Sequence, residues 1–127
     1  MGMYPSADLN YGIDLGLEEE VERPDWFTEE LEEEHGGMEE ASAHLLKNAG
    51  VSGVHVDSYG NFASGFVGHF LYTRRIHAVA YNAESAEGCH PLPPDAPDVD
   101  ALSAAWRVLY GEQEMPKPGW CLLVSYG

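Results

Sequence analysis

Acidic residues are distributed along this chain so unevenly that they limit which part of it can form a core. Fourteen of the 22 acidic residues lie in the first 40 positions, where only Arg23 opposes them, so this segment contributes −13 of a formal net charge of −16. Residues 41–127 contain the remaining eight acids and five basic residues. Because carboxylates are almost never fully buried unless paired, the core must come mainly from residues 41–127 and from the few apolar positions between the early acids.

The size of the chain predicts one domain. With 127 residues, of which 44% are hydrophobic, the chain can bury roughly two thirds of the surface that it exposes when unfolded, and its composition is not that of a disordered protein. We therefore expect residues 1–127 to form a single domain that carries an acidic appendage at about 17–37.

The first 40 residues contain one strand pattern and one weak helix pattern. Apolar and polar residues alternate over residues 9–15, which predicts a strand with one solvated face. Residues 25–35 predict a helix that begins at Pro24 and Asp25 and has a narrow apolar stripe of Trp26, Phe27 and Leu31.

The remainder of the chain contains stronger patterns. Residues 38–49 repeat apolar side chains at helical spacing and end at Gly50, a residue suited to a left-handed cap, and residues 98–110 show a second buried helical face. Both segments predict helices with one buried face, and the pattern over residues 38–49 is the stronger of the two.

The strands after the first helix pair are predicted from turn residues and apolar runs. Residues 51–72 predict a hairpin that turns at 58–61; residues 73–74 would connect it to a third strand at 75–82; and residues 120–126 predict an apolar strand covered on both faces. The expected fold class is α+β, a mainly antiparallel sheet of about five strands with two or three helices packed on one face.

Charge and composition exclude several classes of function. A net charge of −16 opposes direct binding to nucleic acid or to an anionic membrane, and no segment has the length of a membrane span or the pattern of a secretion signal. We expect a cytoplasmic protein whose Cys89 and Cys121 are thiols. A homodimer through an exposed edge of the first strand stays open.

No motif for catalysis, for a cofactor or for a metal emerges. Neither G-x-x-x-x-G-K nor G-x-G-x-x-G occurs. The predicted turns place His55 opposite Ser64 and His77 opposite Phe70. The two histidines are then roughly 20 Å apart, so a shared zinc site would require Cys89 and His90 to fold back onto one histidine. We predict no catalytic residue, no cofactor and no metal, and the protein is more an interaction protein than an enzyme.

One face of the predicted sheet offers an alternative, a site for a small ligand or an enzyme active site. Its rings and polar groups are His55, Asp57, Phe66, Phe70, His77 and Tyr81. An aromatic stripe of this kind is more often the core beneath a helix.

The acidic segment itself favours a basic partner. The predicted helix over 25–35 carries six carboxylates on about 16 Å, one per ~2.7 Å, against one phosphate charge per ~1.7 Å of duplex. A decoy that imitates nucleic acid is one interpretation; a charged face that only maintains solubility is the other. The expected partner-binding residues are Glu18, Glu19, Glu20, Glu22, Trp26, Glu29, Glu30, Glu33 and Glu34.

Three short motifs carry a resemblance to a known group of proteins. The start SADLNYGIDLG, the middle HVDSYGNFASGF and the end GWCLLVSYG resemble small acidic proteins encoded by bacteriophages of actinobacteria. That group has no assigned activity, so the resemblance transfers no functional residue. It implies expression in a host cytoplasm and favours an inhibitor directed at a host or defence factor.

Overall fold

The fold class is α+β, as the sequence predicts, and in the residues that the structure describes three helices pack against a four-stranded antiparallel sheet. The computed structural model describes residues 5–61, 64–79 and 96–126. The elements in chain order are β1 (Pro5–Leu17), α1 (Glu29–His35), α2 (Met38–Asn48), β2 (His55–Asn61), β3 (Phe66–Val79), α3 (Ala96–Tyr110) and β4 (Gly119–Tyr126). Within these residues, no helix is both long enough and apolar enough to cross a membrane.

The strands are arranged in the order β4, β1, β3, β2, and the sheet closes into a barrel. The ladders between β1 and β4, β1 and β3, and β2 and β3 are antiparallel. A parallel bridge between Asn61 and Tyr126 joins β2 to β4, and the Gly60 amide donates to Ser125 Oγ at 3.2 Å beside it. Because β1 pairs with β3 on one side and with β4 on the other, it does not offer the exposed edge through which a homodimer was considered.

The predicted turn at residues 58–61 is wrong, because these residues continue β2. His55 pairs with Tyr72 and Asn61 pairs with Phe66, whereas the turn had placed His55 opposite Ser64. Gly60 explains the error: a Cβ there would lie 2.1 Å from the Phe66 carbonyl oxygen, so this glycine allows a close approach of β3 and does not mark a turn.

The predicted connection at residues 73–74 is also wrong, and the described part of the sheet therefore has four strands instead of five. β3 runs through Thr73 and Arg74 as one strand of 14 residues. Thr73 is an extra residue opposite the step from Tyr11 to Gly12, which is the geometry of a β-bulge. Gly12 permits this irregular pairing, since a Cβ there would lie 1.8 Å from the Leu71 carbonyl oxygen.

The core lies between the helices and one face of the sheet. Leu71 from β3 and both Leu102 and Ala105 from α3 have no exposed surface, which confirms the periodicity of the second predicted helix. The main cluster is Tyr11, Ile13, Leu46, Val54, Val56, Leu71, Leu102, Ala105, Trp106 and Leu109. Helix α2 ends near its predicted position, and Gly50 follows it in the left-handed region with φ of 76°.

Two further predictions, the start of the first helix and the covering of the last strand, differ from the structure. Helix α1 begins at Glu29 and not at Asp25, because Thr28 caps it: the Thr28 hydroxyl accepts from the Leu31 amide at 3.2 Å. Strand β4 is not covered on both faces, since Leu122 is 66% exposed and Val124 is 45% exposed. Among the residues that the structure describes, one bridge joins β4 to β2.

Candidate partner-binding site

Residues 18–37, which we call the acidic strap, connect β1 to α2 through a short series of turns. The Glu18 amide donates to the Val67 carbonyl at 2.9 Å, which fixes the start of the strap to β3. The Val21 amide then donates to the Leu17 carbonyl at 3.1 Å. Helix α1 follows, and Gly36 ends it with φ of 96°, a conformation that favours glycine.

Trp26 attaches the strap to the body of the protein. Its ring is partly buried against the core, with its centroid 6.2 Å from the Tyr110 ring in an edge-to-face arrangement. The ring of Phe27 lies 5.8 Å from it. From the sequence, Trp26 could anchor this segment either to the body of the protein or to a partner; in the structure its ring packs within the chain.

The other expected partner-binding residues are all exposed. They are Glu18, Glu19, Glu20, Glu22, Glu29, Glu30, Glu33 and Glu34. No residue of α1 is buried, so its carboxylates face solvent. All eight side chains thus lie exposed on one strap.

Arg23, the one basic residue among the first 40, is paired within the strap. Its guanidinium forms a salt bridge with the Glu32 carboxylate, its Nε donates to the Phe27 carbonyl at 2.9 Å, and it lies 4.4 Å from the centroid of the Phe27 ring. Arg23 therefore stabilises the turn before α1 and neutralises Glu32, while the strap keeps a strongly negative surface.

A pocket of about 280 Å³ lies between the strap and the body. Its apolar side chains come from the end of β1, the strap and α2, and its polar groups come from the strap and β3. The lining residues are Leu15, Gly16, Glu18, Val21, Glu22, Arg23, Pro24, Phe27, Glu32, Met38 and His69. The acidic strap thus forms one wall of a cavity with an apolar interior.

His69 is the member of this site that the sequence did not predict. Its partners on the sheet are Gly16 and Ser58, and the side chain is 6% exposed. Its Nδ1 lies 3.8 Å from Glu18 Oε1, which is too long for a hydrogen bond. No local pattern could have found it, because the pairing of β3 with two distant strands places it beside the strap.

The alternative ligand face is partly assembled in the structure. His55, Asp57, Phe66 and Phe70 share one face of the β2–β3 ladder, as predicted. Phe70 has no exposed surface and Phe66 is 52% exposed. His77 lies in register opposite Asp8, not opposite Phe70 as predicted. Tyr81, Cys89 and His90 lie outside the described residues.

Arg75, which the sequence analysis did not select, organises this face. Its Nη1 donates to Asp57 Oδ2 at 2.7 Å and its Nε donates to Asn10 Oδ1 at 3.1 Å. Its guanidinium lies 4.1 Å from the centroid of the Tyr72 ring. Burial raises the pKa of the Tyr72 hydroxyl, and Arg75 opposes that shift. Because Asp57 is paired with Arg75, it is poorly placed to orient His55 as a catalytic base.

A second polar contact on the sheet joins Tyr59 to Asp14. The Tyr59 hydroxyl donates to Asp14 Oδ1 at 2.7 Å, and burial together with this hydrogen bond raises the pKa of Tyr59 well above its usual range. Gly68 makes room for the ring, since a Cβ there would lie 2.5 Å from Tyr59 Cζ. Burial also raises the pKa of the nearby Cys121 thiol. We therefore interpret the contact between Tyr59 and Asp14 as structural.

Metal-binding side chains do not converge in the described part of the chain. No group of three or more His, Cys, Asp or Glu residues there has the geometry to hold an ion. The rings of His35 and His44 contact each other between α1 and α2, with centroids 4.4 Å apart. Comparison of the chain with models of protein families, with characterised proteins and with solved structures yields no match.

Proposed function

We propose that this protein is a small acidic interaction protein, not an enzyme, and that its acidic strap binds a basic surface of another protein. The observation that carries the proposal is the negative charge of the strap. Besides Glu32, eight of its glutamates are exposed, four of them on α1, and the arginine of the strap, Arg23, is paired with Glu32. A basic partner would relieve the repulsion among these carboxylates.

The charge density of α1 supports imitation of nucleic acid. The helix has seven residues, five of which are glutamates, on about 10 Å of helix axis. With Glu32 neutralised by Arg23, the remaining four charges are spaced at one per ~2.6 Å, against one per ~1.7 Å in duplex DNA. A groove that binds phosphates is therefore the class of surface that the strap would fit.

Attachment of the strap to the body favours binding over solubility as its role. A solubilising segment needs charge but no fixed conformation. Here Trp26 packs on Tyr110, Thr28 caps α1 and Arg23 holds the preceding turn. These contacts hold the carboxylates in one arrangement, which lowers the entropic cost of binding.

The resemblance to phage proteins suggests the class of partner. A small protein expressed in a host cytoplasm that imitates nucleic acid would act on a host or defence factor whose own ligand is DNA or RNA. Inhibition of that factor by occupation of its binding groove is the biological role that we propose.

Capture from a lysate of an actinobacterial host tests the proposal. The protein would be immobilised as wild type, as the strap variant Glu29→Lys/Glu30→Lys/Glu33→Lys, and as the control Asp100→Lys/Glu112→Lys/Glu114→Lys, which makes the same change in charge at exposed positions outside the strap. The expected result is a nucleic-acid-binding protein that wild type and control retain and that the strap variant loses. Equal capture of that protein by all three would contradict the proposal.

A further inference from the structure

We propose that the pocket beneath the acidic strap receives one long basic side chain, arginine or lysine, of the partner. This inference rests on the proposed function and deepens it, because it adds a specific contact to a general attraction between charges. The strap would then recognise a basic surface by one inserted side chain as well as by the electrostatic attraction of its carboxylates.

The size and lining of the pocket fit the stem of such a residue. At about 280 Å³ the pocket is at the lower limit of the roughly 300–1,000 Å³ typical for drug-sized ligands, which suits a single side chain. Leu15, Val21, Pro24 and Met38 supply apolar walls. Arginine and lysine place their methylene stems along such surfaces and keep their charged ends near polar groups.

The rim supplies the negative charge. Glu18 and Glu22 line the pocket and both are exposed, whereas Glu32 is already paired with Arg23. Arg23 shows how this strap binds a guanidinium, with a ring, a backbone carbonyl and a carboxylate as its partners. A cation of the partner would contact the two remaining carboxylates, those of Glu18 and Glu22.

His69 adds a polar group from the body of the protein to the wall of the pocket. Its side chain is 6% exposed and lines the pocket, and its Nδ1 lies 3.8 Å from Glu18 Oε1, a distance that suits an ion pair and is too long for a hydrogen bond. A neutral imidazole has one acceptor nitrogen, and a guanidinium or ammonium group in the pocket would donate to it.

Titration of the whole protein with small amides, followed by NMR, tests the inference. N-acetyl-arginine amide and N-acetyl-lysine amide are the probes. N-acetyl-norleucine amide supplies a stem without charge, and guanidinium ion supplies charge without a stem. We expect at least one basic amide to give saturable shifts at the methyl groups of Leu15, Val21 and Met38 and at the His69 ring. The two controls should bind at least about tenfold more weakly.

A matched pair of substitutions localises the binding. Val21→Trp fills the pocket without changing the charge, and Val124→Trp makes the same change on β4, where the valine is equally exposed at 45%. Val21→Trp should weaken the basic amide at least about tenfold, and Val124→Trp should not. If Val21→Trp fails to fold, Glu18→Gln/Glu22→Gln compared with Glu112→Gln/Glu114→Gln makes the same test through the rim.

The outcomes separate this inference from the proposed function. Absence of saturable binding by both basic amides, equal binding by norleucine amide, or unchanged binding by Val21→Trp would overturn the pocket inference. If the strap variant still lost the captured partner, the proposed function would stand without the pocket. If the amides bound and capture did not depend on the strap, the pocket would stand and the proposed function would fall.

Discussion

At the scale of single residues, three glycines explain how this small sheet curves into a barrel. Gly12 and Gly60 allow neighbouring backbone carbonyls to approach to distances that a Cβ would forbid, and Gly68 lies under the ring of Tyr59. That ring in turn brings its hydroxyl to Asp14. Glycine in these strands therefore serves close packing and not flexibility, which is why turn-based prediction at Gly60 was wrong.

The Tyr59 hydroxyl predicts a pH dependence of stability. Its pKa in the folded state is raised above the ordinary value of about 10, so the folded protein holds this proton more tightly than the unfolded chain does. The contribution of this proton to the free energy of unfolding is complete below about pH 10 and is lost as pH rises beyond that value.

Urea unfolding at neutral pH and above pH 10 measures this effect in wild type and in Tyr59→Phe. Because the variant lacks the hydrogen bond to Asp14, its free energy of unfolding at neutral pH should be about 1 kcal/mol lower than that of wild type. This free energy should then fall less steeply than in wild type as pH rises above 10. Tyr72 and Tyr110, whose pKa values burial also raises, are the same in both proteins. Equal alkaline losses in the two proteins would contradict the role given to the Tyr59–Asp14 contact.

At the scale of elements, the acidic strap depends on a small number of contacts. Helix α1 has seven residues and buries none of them, and so short a helix is not stable alone in water. Its position is set by Trp26 on Tyr110 and by the Thr28 cap. The strap should therefore be the first part of the molecule to open locally.

Replacement of Trp26 by alanine tests this attachment. We expect Trp26→Ala to lower the free energy of unfolding by about 1–3 kcal/mol, and to remove hydrogen-exchange protection from α1 while α3 keeps most of its own. Glu29→Ala, an exposed change in the same helix, should leave α1 protected. Loss of protection in α1 and α3 to the same extent would mean that the strap and the core open as one unit.

The elements also show what sequence could and could not predict. The alternation in β1 and the periodicity of α2 and α3 are local signals, and all three elements were predicted. The bulge at Thr73 and the continuation of β2 through Gly60 depend on how β3 pairs with its neighbours, which no local pattern records. The glutamates of the site were visible in composition, whereas His69 and the inward role of Trp26 arise only from tertiary packing.

At the scale of the whole molecule, charge and core occupy different parts of one fold. The core comes from β1, α2, α3 and the β2–β3 hairpin, while the strap carries the carboxylates at its surface. The alternative face around Arg75 contains internally paired charges. The strap and its pocket are therefore the surface on which recognition of a partner is best sought, and electrostatic attraction is the force that should dominate there.

The most direct measurement is the dissociation constant of the captured partner, determined by calorimetry as ionic strength rises from about 0.01 M to about 0.15 M, a change that shortens the screening length from about 30 Å to about 8 Å. For wild type and for Asp100→Lys/Glu112→Lys/Glu114→Lys, affinity should fall steeply over this range. For Glu29→Lys/Glu30→Lys/Glu33→Lys, affinity should already be weak at low salt and should change little. Three proteins with the same affinity and the same salt dependence would contradict the account.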